Sequence, residues 1–379
     1  WGFSNNVATI SGTPTGTASG TYNYTLTASN TAGTASATFS GSLTVSSSTS
    51  SGVTGGIGVT GSTFEVTTFK SNVGTAYQMA YRDGYLYTQS SSSTIIKIDI
   101  STASSTILAT SFVNGCGGNG YSGLECRLTS DGIAVDSNGY VYVHPLDVNP
   151  NPSQSIIKKI IPSTTSSTPS SVTAFAGGDQ GFADGNGTSA KFQWSKSMIF
   201  DANDNMYTVD HDRIRKITTN GDVTTYLEDT NNESFDDIAF DSNGNLFIST
   251  QSTSRILKYV PSSGSLTVFA GVGDGYNDGN GTTEAKFYKP AKIAIDSNDN
   301  IYVADSYCRI RKITPQGYVT TIAGPTSQLN NGMSDCGYTD GYGNNARFSW
   351  MVGSVSLAID DNDNLYVGES NRIRKINLN

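Results

Sequence analysis

One block of sequence recurs from about residue 127 to the end of the chain. Its clearest copies span residues 190–228, 285–324 and 346–379, and each holds short apolar runs separated by turn residues. Such a block predicts one four-stranded antiparallel sheet per repeat. Because a repeated sheet must bury its faces against its neighbours, we predict an all-β chain whose repeats close into a propeller.

An Asx-rich turn between the first two runs marks each copy and gives the number of repeats. Asp, Asn and Gly supply the positive φ and the local hydrogen bonds that tight hairpins need. The turns predict six blades, which begin near residues 75, 127, 190, 232, 285 and 346. The turns themselves begin at Arg82, Asp136, Asp201, Asp241, Asp296 and Asp360.

These turns share oxygen-bearing side chains with calcium loops. They lack the Gly and the Glu that an EF-hand uses at its sixth and twelfth positions. We therefore interpret them as Asx turns, with adventitious cation sites as the alternative. We predict no cofactor, and we keep calcium as the alternative.

The last copy stops after its third run and lacks an outer strand. Residues 64–70, FEVTTFK, match the outer run YVTTIAG of residues 318–324. We predict that this N-terminal strand completes the last blade, so that the ring closes without an open edge there.

The repeats resemble the NHL-repeat β-propeller family over roughly residues 62–379. The resemblance rests on the Ala-x-Phe opening, the D-x-N-x-N turn, and the motif RIRKI at 213–217, 309–313 and 372–376. Three copies depart from that motif, with TIIKI, SIIKK and RILKY. The resemblance implies a six-bladed propeller. Recurring acids end the second run of three copies, where we expect them to cap the next turn or to pair with the RIRKI arginines: Asp210, Asp305 and Glu369.

Residues 1–45 differ in texture, with Gly-rich turns between alternating apolar positions. The run ISGTPT…GTYNYTLTASN resembles the second half of a bacterial Ig-like domain, so we predict a partial Ig-like β-sandwich segment. Half a sandwich cannot cover its own apolar face. Either the chain was trimmed from a longer tandem-domain protein, or a neighbouring molecule supplies the missing strands. The alternating positions are Tyr22, Tyr24 and Leu26, and Phe39, Leu43 and Val45.

Residues 46–62 predict a Ser/Thr/Gly linker, either a flexible tether or a glycosylated stalk, and residues 63–379 form the predicted propeller. The formal net charge of −9 argues against binding to nucleic-acid phosphates. No apolar run approaches the ~18 residues of a membrane span. The chain begins at Trp1 without an initiator methionine, and we expect a processed or trimmed product. Abundant Ser, Thr, Gly and Asn favour an extracellular or cell-surface protein.

Four cysteines support that location. Cys116 and Cys126 lie in one loop between the first two blades. Cys308 lies in a turn of the fifth blade, and Cys336 lies in the loop that leaves it. We predict two disulfides, Cys116–Cys126 and Cys308–Cys336, in an oxidising compartment. Unpaired thiols are the alternative.

Three Gly/Asp loops link one blade to the next and each carries an aromatic residue. The Asp and Asn oxygens beside an aromatic ring are compatible with binding of calcium or with binding of a sugar. The alternative is that these residues only stabilise the loop itself. Aromatic residues that appear in single copies favour recognition of a partner. The predicted binding face comprises Tyr121, Phe182, Asp184, Trp194, Tyr276, Asp278, Tyr338, Asp340 and Trp350.

Catalytic residues are not predicted. Metal-dependent lyases and lactonases on six-bladed propellers need several His, Glu or Asp ligands around the axis, and this chain has two histidines, His144 and His211. We therefore predict a non-enzymatic, extracellular binding or structural protein for adhesion or for assembly of a surface structure, with a filament joined through the N-terminal strands as one form. Its partner is a protein, including a second copy, or a glycan. The alternatives are a secreted propeller lyase or lactonase, and a carbohydrate-binding module.

Overall fold

The structure is a computed structural model of the 379-residue chain. It describes residues 64–74, 76–91, 94–110, 130–145, 155–163, 170–306, 308–326, 335–349 and 354–378, together with the strand residues 2–4, 7–9, 20–29 and 36–45. The chain divides into two compact units, Trp1–Thr63 and Phe64–Asn379.

The described residues of the first unit form two antiparallel strand pairs. Gly2–Ser4 pairs with Val7–Thr9, and Gly20–Ser29 pairs with Ser36–Val45. The two pairs belong to separate two-stranded sheets. The predicted strands are therefore present, whereas the Ig-like sandwich stays a prediction and the linker at 46–62 lies outside the described residues.

The second unit is a propeller of six antiparallel sheets, which confirms the predicted fold. We number these blades in chain order. Blade 1 consists of Met79–Arg82, Tyr85–Ser91, Thr94–Asp99 and Ser105–Thr110. Blade 2 consists of Ser130–Val135, Val141–Pro145, Ile157–Ile161 and Ser171–Ala176. Blade 3 consists of Ser195–Phe200, Met206–Asp210, Arg213–Ile217 and Asp222–Glu228.

The remaining blades follow the same order of inner, second, third and outer strand. Blade 4 consists of Phe235–Phe240, Leu246–Thr250, Arg255–Val260 and Ser265–Ala270. Blade 5 consists of Lys292–Ile295, Ile301–Asp305, Arg309–Ile313 and Tyr318–Ala323. Blade 6 consists of Val355–Ile359, Asn364–Glu369, Arg372–Asn377 and the N-terminal strand Glu65–Ser71.

The N-terminal strand closes the ring as predicted. Glu65–Ser71 pairs antiparallel with Arg372–Asn377, with Val66 opposite Ile376. The first strand of this unit and the last strand of the chain thus share one sheet, so the ring cannot open at blade 6 without breaking that ladder.

The core lies between the blades, where a buried apolar cluster occupies each of the six junctions. The second strands of blades 3, 4 and 5 are buried along their whole length because both of their faces meet a neighbouring blade. This two-sided burial suits the apolar residues with which each strand begins.

The D-x-N-x-N segments form the Asx turns predicted from the sequence. In blade 2, Asp136 Oδ1 accepts hydrogen bonds from the backbone N–H groups of Asn138 at 3.0 Å and Tyr140 at 2.9 Å. The carboxylate also accepts the Tyr142 hydroxyl at 3.1 Å, which ties the turn to the second strand. The backbone bonds recur in the other four clear turns, around Asp201, Asp241, Asp296 and Asp360.

Hydrogen bonds that the sequence did not reveal join the turns of blades 4, 5 and 6 to one another. Ser242, at the second turn position of blade 4, donates its N–H and hydroxyl to Asp299, at the fourth turn position of blade 5, at 2.8 and 2.7 Å. Ser297 of blade 5 binds Asp363 of blade 6 in the same way, at 2.9 and 2.6 Å. These contacts fix adjacent blades to each other at this face.

Within the described ranges, three blades carry an additional short strand at their outer edge. The loop that enters each of these blades runs back along it and pairs with its outer strand. These short strands are Gly185–Asn186 on blade 3, Gly279–Asn280 on blade 5 and Gly341–Tyr342 on blade 6. The 3₁₀ turns Gly187–Ser189 and Gly343–Asn345 follow two of them. No helix in the described part of the chain is long and apolar enough to cross a membrane.

Candidate functional site

The loops that enter the blades and the turns between second and third strands meet on one face of the propeller, which we call the loop face. The N–H of His211, in such a turn, donates to the carbonyl of Trp194, in such a loop, at 3.2 Å. The predicted Cys308–Cys336 disulfide joins the same two kinds of segment and is confirmed. Cys116 and Cys126 lie outside the described residues.

A fully buried arginine anchors each of three entering loops. In blade 3, Arg215 donates to Asp210 at 2.9 Å and to Asp184 at 2.7 Å. It also donates to the carbonyls of Lys191 at 3.1 Å and Ala183 at 2.9 Å. One guanidinium thus joins the second strand of the blade to two points of its entering loop, which confirms the predicted pairing of RIRKI arginines with the recurring acids.

The same arrangement recurs in blades 5 and 6. Arg311 contacts Asp305 at 2.9 Å and Asp278 at 2.7 Å. Arg374 contacts Glu369 at 3.0 Å and Asp340 at 2.6 Å. We call these three clusters the arginine latches.

The loop aspartates of the latches also hold the outer strand. Asp278 accepts the backbone N–H of Thr321 at 3.0 Å and its hydroxyl at 3.1 Å. Asp184 contacts Thr225, and Asp340 contacts Thr68, in the same way. Burial acts to raise the pKa of Asp184. Hydrogen bonds from Thr225 and Arg215 outweigh it and hold that pKa below its usual value.

The inner acids of the latches show the opposite shift. Burial raises the pKa of Asp305 and of Glu369, and the paired arginines only partly offset that effect. Ionised acids at these positions therefore depend on their arginine partners.

The loop aromatics stack on the first arginine of RIRKI. The guanidinium carbon of Arg213 lies 3.8 Å from the ring centre of Phe182. Tyr276 and Tyr338 stack on their own arginines at 3.9 and 4.2 Å. Phe182 and Tyr338 remain 44% and 45% exposed, so each ring presents one side to solvent on the loop face.

Trp194 differs from these rings because it lies against the ring of a histidine, a pair that appears in a single described blade. Its indole is 50% exposed and lies 5.2 Å from the ring of His211. The carboxylate of Asp210 accepts the backbone N–H groups of Gln193 at 2.7 Å and Trp194 at 3.0 Å. The acid that binds Arg215 therefore also holds the backbone beneath this exposed indole, which makes Trp194 a fixed feature of the surface.

Seven of the nine predicted binding-face residues thus lie in the described loop face. Three are exposed aromatic rings, one is the half-buried ring of Tyr276, and three are latch aspartates. Tyr121 and Trp350 lie outside the described residues. Recognition by this set stays a prediction.

The propeller axis carries a polar group that sequence reasoning missed. Asp237 of blade 4 accepts the backbone N–H of Ile293 at 2.8 Å and lies 3.4 Å from Lys292 of blade 5. The ammonium of Lys292 also lies 3.3 Å from Gln78 Oε1 of blade 1. The one signal in the sequence was the Asp236–Asp237 pair, which no other inner strand repeats.

Polar side chains, including Asp237 and Lys292, and apolar side chains together line a cavity of about 70 Å³ at the axis. Pockets that bind small molecules usually measure ~300–1,000 Å³. The axial cavity is therefore several-fold smaller than a typical ligand pocket. Its apolar lining includes Met79, Ile133, Met198, Ile238 and Leu357.

The two histidines occupy different environments. His144 is buried, and its Nε2 lies 2.9 Å from the hydroxyl of Ser155. Burial, with a smaller effect of Lys158, lowers the pKa of His144 to about 4. His211 is exposed beside Trp194. Within the described ranges, no three His, Cys, Asp or Glu side chains come together in a group that could hold a metal ion.

Comparison with known proteins supports the family resemblance in the part of the chain that carries the latches of blades 3 and 5. Residues 180–339 match the family model described as the Teneurin NHL domain. The resemblance to NHL-repeat propellers is confirmed. Over 216 residues the chain is 28% identical to Teneurin-3 of Danio rerio, a match that covers 52% of this chain and 8% of that protein. The chain thus corresponds to a small fraction of the length of this relative.

Solved structures share the propeller fold at low identity. An auxiliary nutrient binding protein from Bacteroides thetaiotaomicron superposes with a TM-score of 0.57 and 19% identity, covering 83% of this chain and 76% of that one. A gluconolactonase from Xanthomonas campestris superposes with a TM-score of 0.53 and 10% identity, covering 83% and 90%. At these identities the likeness shows the fold alone.

Proposed function

We propose that the NHL propeller is a non-enzymatic binding module that acts outside the cell or on its surface, in adhesion or in assembly of a surface structure. Its loop face binds a protein partner. The observation that carries this proposal is the half-exposed Trp194 indole on a backbone fixed by Asp210. Rigid aromatic side chains are frequent hot spots of protein interfaces because they bury much area at little entropic cost.

Two further observations support the location. The Cys308–Cys336 disulfide is stable in oxidising compartments and is rare in the cytosol. The similarity to Teneurin-3 over half of this chain points in the same direction.

The axis favours binding over catalysis. The carboxylate of Asp237 already pairs with Lys292 and accepts a backbone N–H, and the cavity at the axis is small. A hydrolase of the lactonase type needs room for a sugar-sized substrate beside its reacting groups. The secreted lyase or lactonase is therefore the weaker alternative, although a gluconolactonase shares the fold.

We expect Trp194→Ala to weaken partner binding at least about tenfold, because hot-spot truncations cost about 2 kcal/mol or more. The measurement is binding of the purified full chain to cells of the producing species, quantified by fluorescence titration. A matched control is Tyr318→Ala, which removes an equally exposed ring from the outer strand of blade 5 and should leave binding unchanged.

Treatment of the cells separates the partner classes. Protease treatment should abolish binding, whereas mild periodate oxidation of surface sugars should not. The reverse pattern would establish a carbohydrate-binding module. Equal binding by the unmodified chain and by Trp194→Ala would contradict the proposed surface.

A further inference from the structure

The outer strands of the blades differ in how their free edge is covered. In blades 3, 5 and 6 the entering loop pairs with the outer strand and its latch aspartate binds the same strand. The outer strand of blade 4, Ser265–Ala270, pairs with Arg255–Val260 on one side only, within a stretch described without a gap from residue 170 to 306. Blade 4 therefore has an open edge.

Coordinated substitutions accompany this open edge. In a latched blade, the central arginine lies opposite a threonine of the outer strand, as Arg311 lies opposite Thr321. At the equivalent register position of blade 4, Leu257 lies opposite Val268. Both polar partners of a latch aspartate are thus replaced by apolar residues where no loop covers the strand.

The register places a backbone donor on the open edge. The N–H of Thr321 points away from the third strand, since it donates to Asp278 at 3.0 Å. Thr225 and Thr68 do the same in their blades. Leu257 and Val268 follow the same register shift as Arg311 and Thr321, so the N–H of Val268 also points outward. A strand that pairs with this edge can accept a hydrogen bond from the backbone N–H of Val268.

The edge also lacks the features that usually prevent pairing. Natural edge strands carry charges or proline, or are covered. Ser265–Ala270 has the sequence SLTVFA, without charge or proline, and Val268 is 37% exposed on it. The outer strands of blades 3 and 6, by contrast, contain charged residues as well as a covering loop.

The first unit of the chain supplies strands of matching chemistry. Gly20–Ser29 and Ser36–Val45 form a two-stranded sheet, and neither strand contains a charged residue. An isolated two-stranded hairpin is marginally stable in water, and a third strand increases its stability. Uncharged strands on both sides bring no electrostatic penalty to an intermolecular pairing.

We propose that the hairpin formed by Gly20–Ser29 and Ser36–Val45 of one copy adds, edge to edge, to the outer strand of blade 4 of a second copy. Each copy carries both a donor hairpin and an acceptor edge, so the contact is head to tail and propagates into chains of molecules. This inference rests on the assembly role within the proposed function, and it uses no residue of the loop face.

The test is sedimentation of the full-length chain over a range of concentrations. The unmodified chain should form concentration-dependent oligomers. Val268→Lys, which places a charge on the edge, and Val268→Pro, which removes the outward N–H, should each weaken association at least tenfold. Val272→Lys is the matched control, because Val272 is similarly exposed but its N–H donates to Ala285; it should associate like the unmodified chain.

A synthetic peptide of residues 20–29 identifies the donor. The peptide should compete with association of the unmodified chain. A chain that stays monomeric, or a Val268→Lys variant that folds and associates normally, would overturn the proposal. Dissociation by the Val268 variants without competition by the peptide would overturn the hairpin as donor and indicate edge-to-edge pairing of two blades. If the chain does not associate but its binding to cells still depends on Trp194, the assembly proposal fails and the proposed function of the loop face is retained.

Discussion

Replacement of Arg311 by Leu is expected to lower the free energy of unfolding by about 3–5 kcal/mol, the usual cost of breaking a buried ion pair on one side. The guanidinium is fully buried and contacts Asp305, which is also fully buried, at 2.9 Å. Without this partner, the buried Asp305 must either stay ionised at a cost in desolvation or take up a proton, and both cost stability. Chemical denaturation followed by intrinsic fluorescence measures the loss.

Blade 4 offers the control for this prediction. It carries Leu257 in place of the latch arginine and Thr250 in place of the inner acid, and it packs with both. We therefore expect the double variant Arg311→Leu with Asp305→Thr to recover more than half of the lost stability. A double variant as unstable as the single one would show that the uncompensated carboxylate is not the cause.

The second large effect concerns pH. Burial lowers the pKa of His144 to about 4, whereas an unfolded chain has the ordinary value of about 6.5. Between about pH 4 and 6.5, His144 is protonated in the unfolded chain and neutral in the folded chain. Stability is thus fully present above about pH 6.5 and falls as the pH decreases towards 4, by about 3 kcal/mol for this group.

His144→Gln isolates that contribution. Glutamine keeps a polar group near Ser155 but does not titrate, so unfolding of the variant should depend less steeply on pH between 4 and 6.5. Comparison with the unmodified chain cancels the effect of the carboxylates, which titrate in both proteins. Identical pH profiles would show that His144 gains its proton in the folded state as readily as in the unfolded one.

The parts of the fold that the sequence predicted are those repeated in it. An aspartate that accepts two backbone N–H groups, as Asp136 does, begins the turn in four more blades, so its role could be predicted from local chemistry. The closing strand could be predicted because residues 64–70 match the outer strand at residues 318–324. Repetition supplied the alignment that a single sequence otherwise lacks.

The latch aspartates show where this reasoning ended. An Asp beside an aromatic residue in a Gly-rich loop has the same appearance whether it binds a ligand or an internal arginine. The partners of Asp278 lie 33 residues away at Arg311 and 43 residues away at Thr321. That contact follows from the loop running back along its own blade, which no local pattern predicts. The axial contact between Asp237 and Lys292 was missed for the same reason, since it spans two blades.

The central claim is that residues repeated in several blades maintain the fold, whereas the exposed Trp194 indole beside His211 serves recognition. The most direct test measures stability and cell binding together for Trp194→Ala and Asp278→Ala. We predict that Trp194→Ala loses binding and keeps its unfolding midpoint, while Asp278→Ala loses about 1–3 kcal/mol of stability by leaving buried donors unpaired, and still binds. A stable Asp278→Ala that no longer binds would contradict this account.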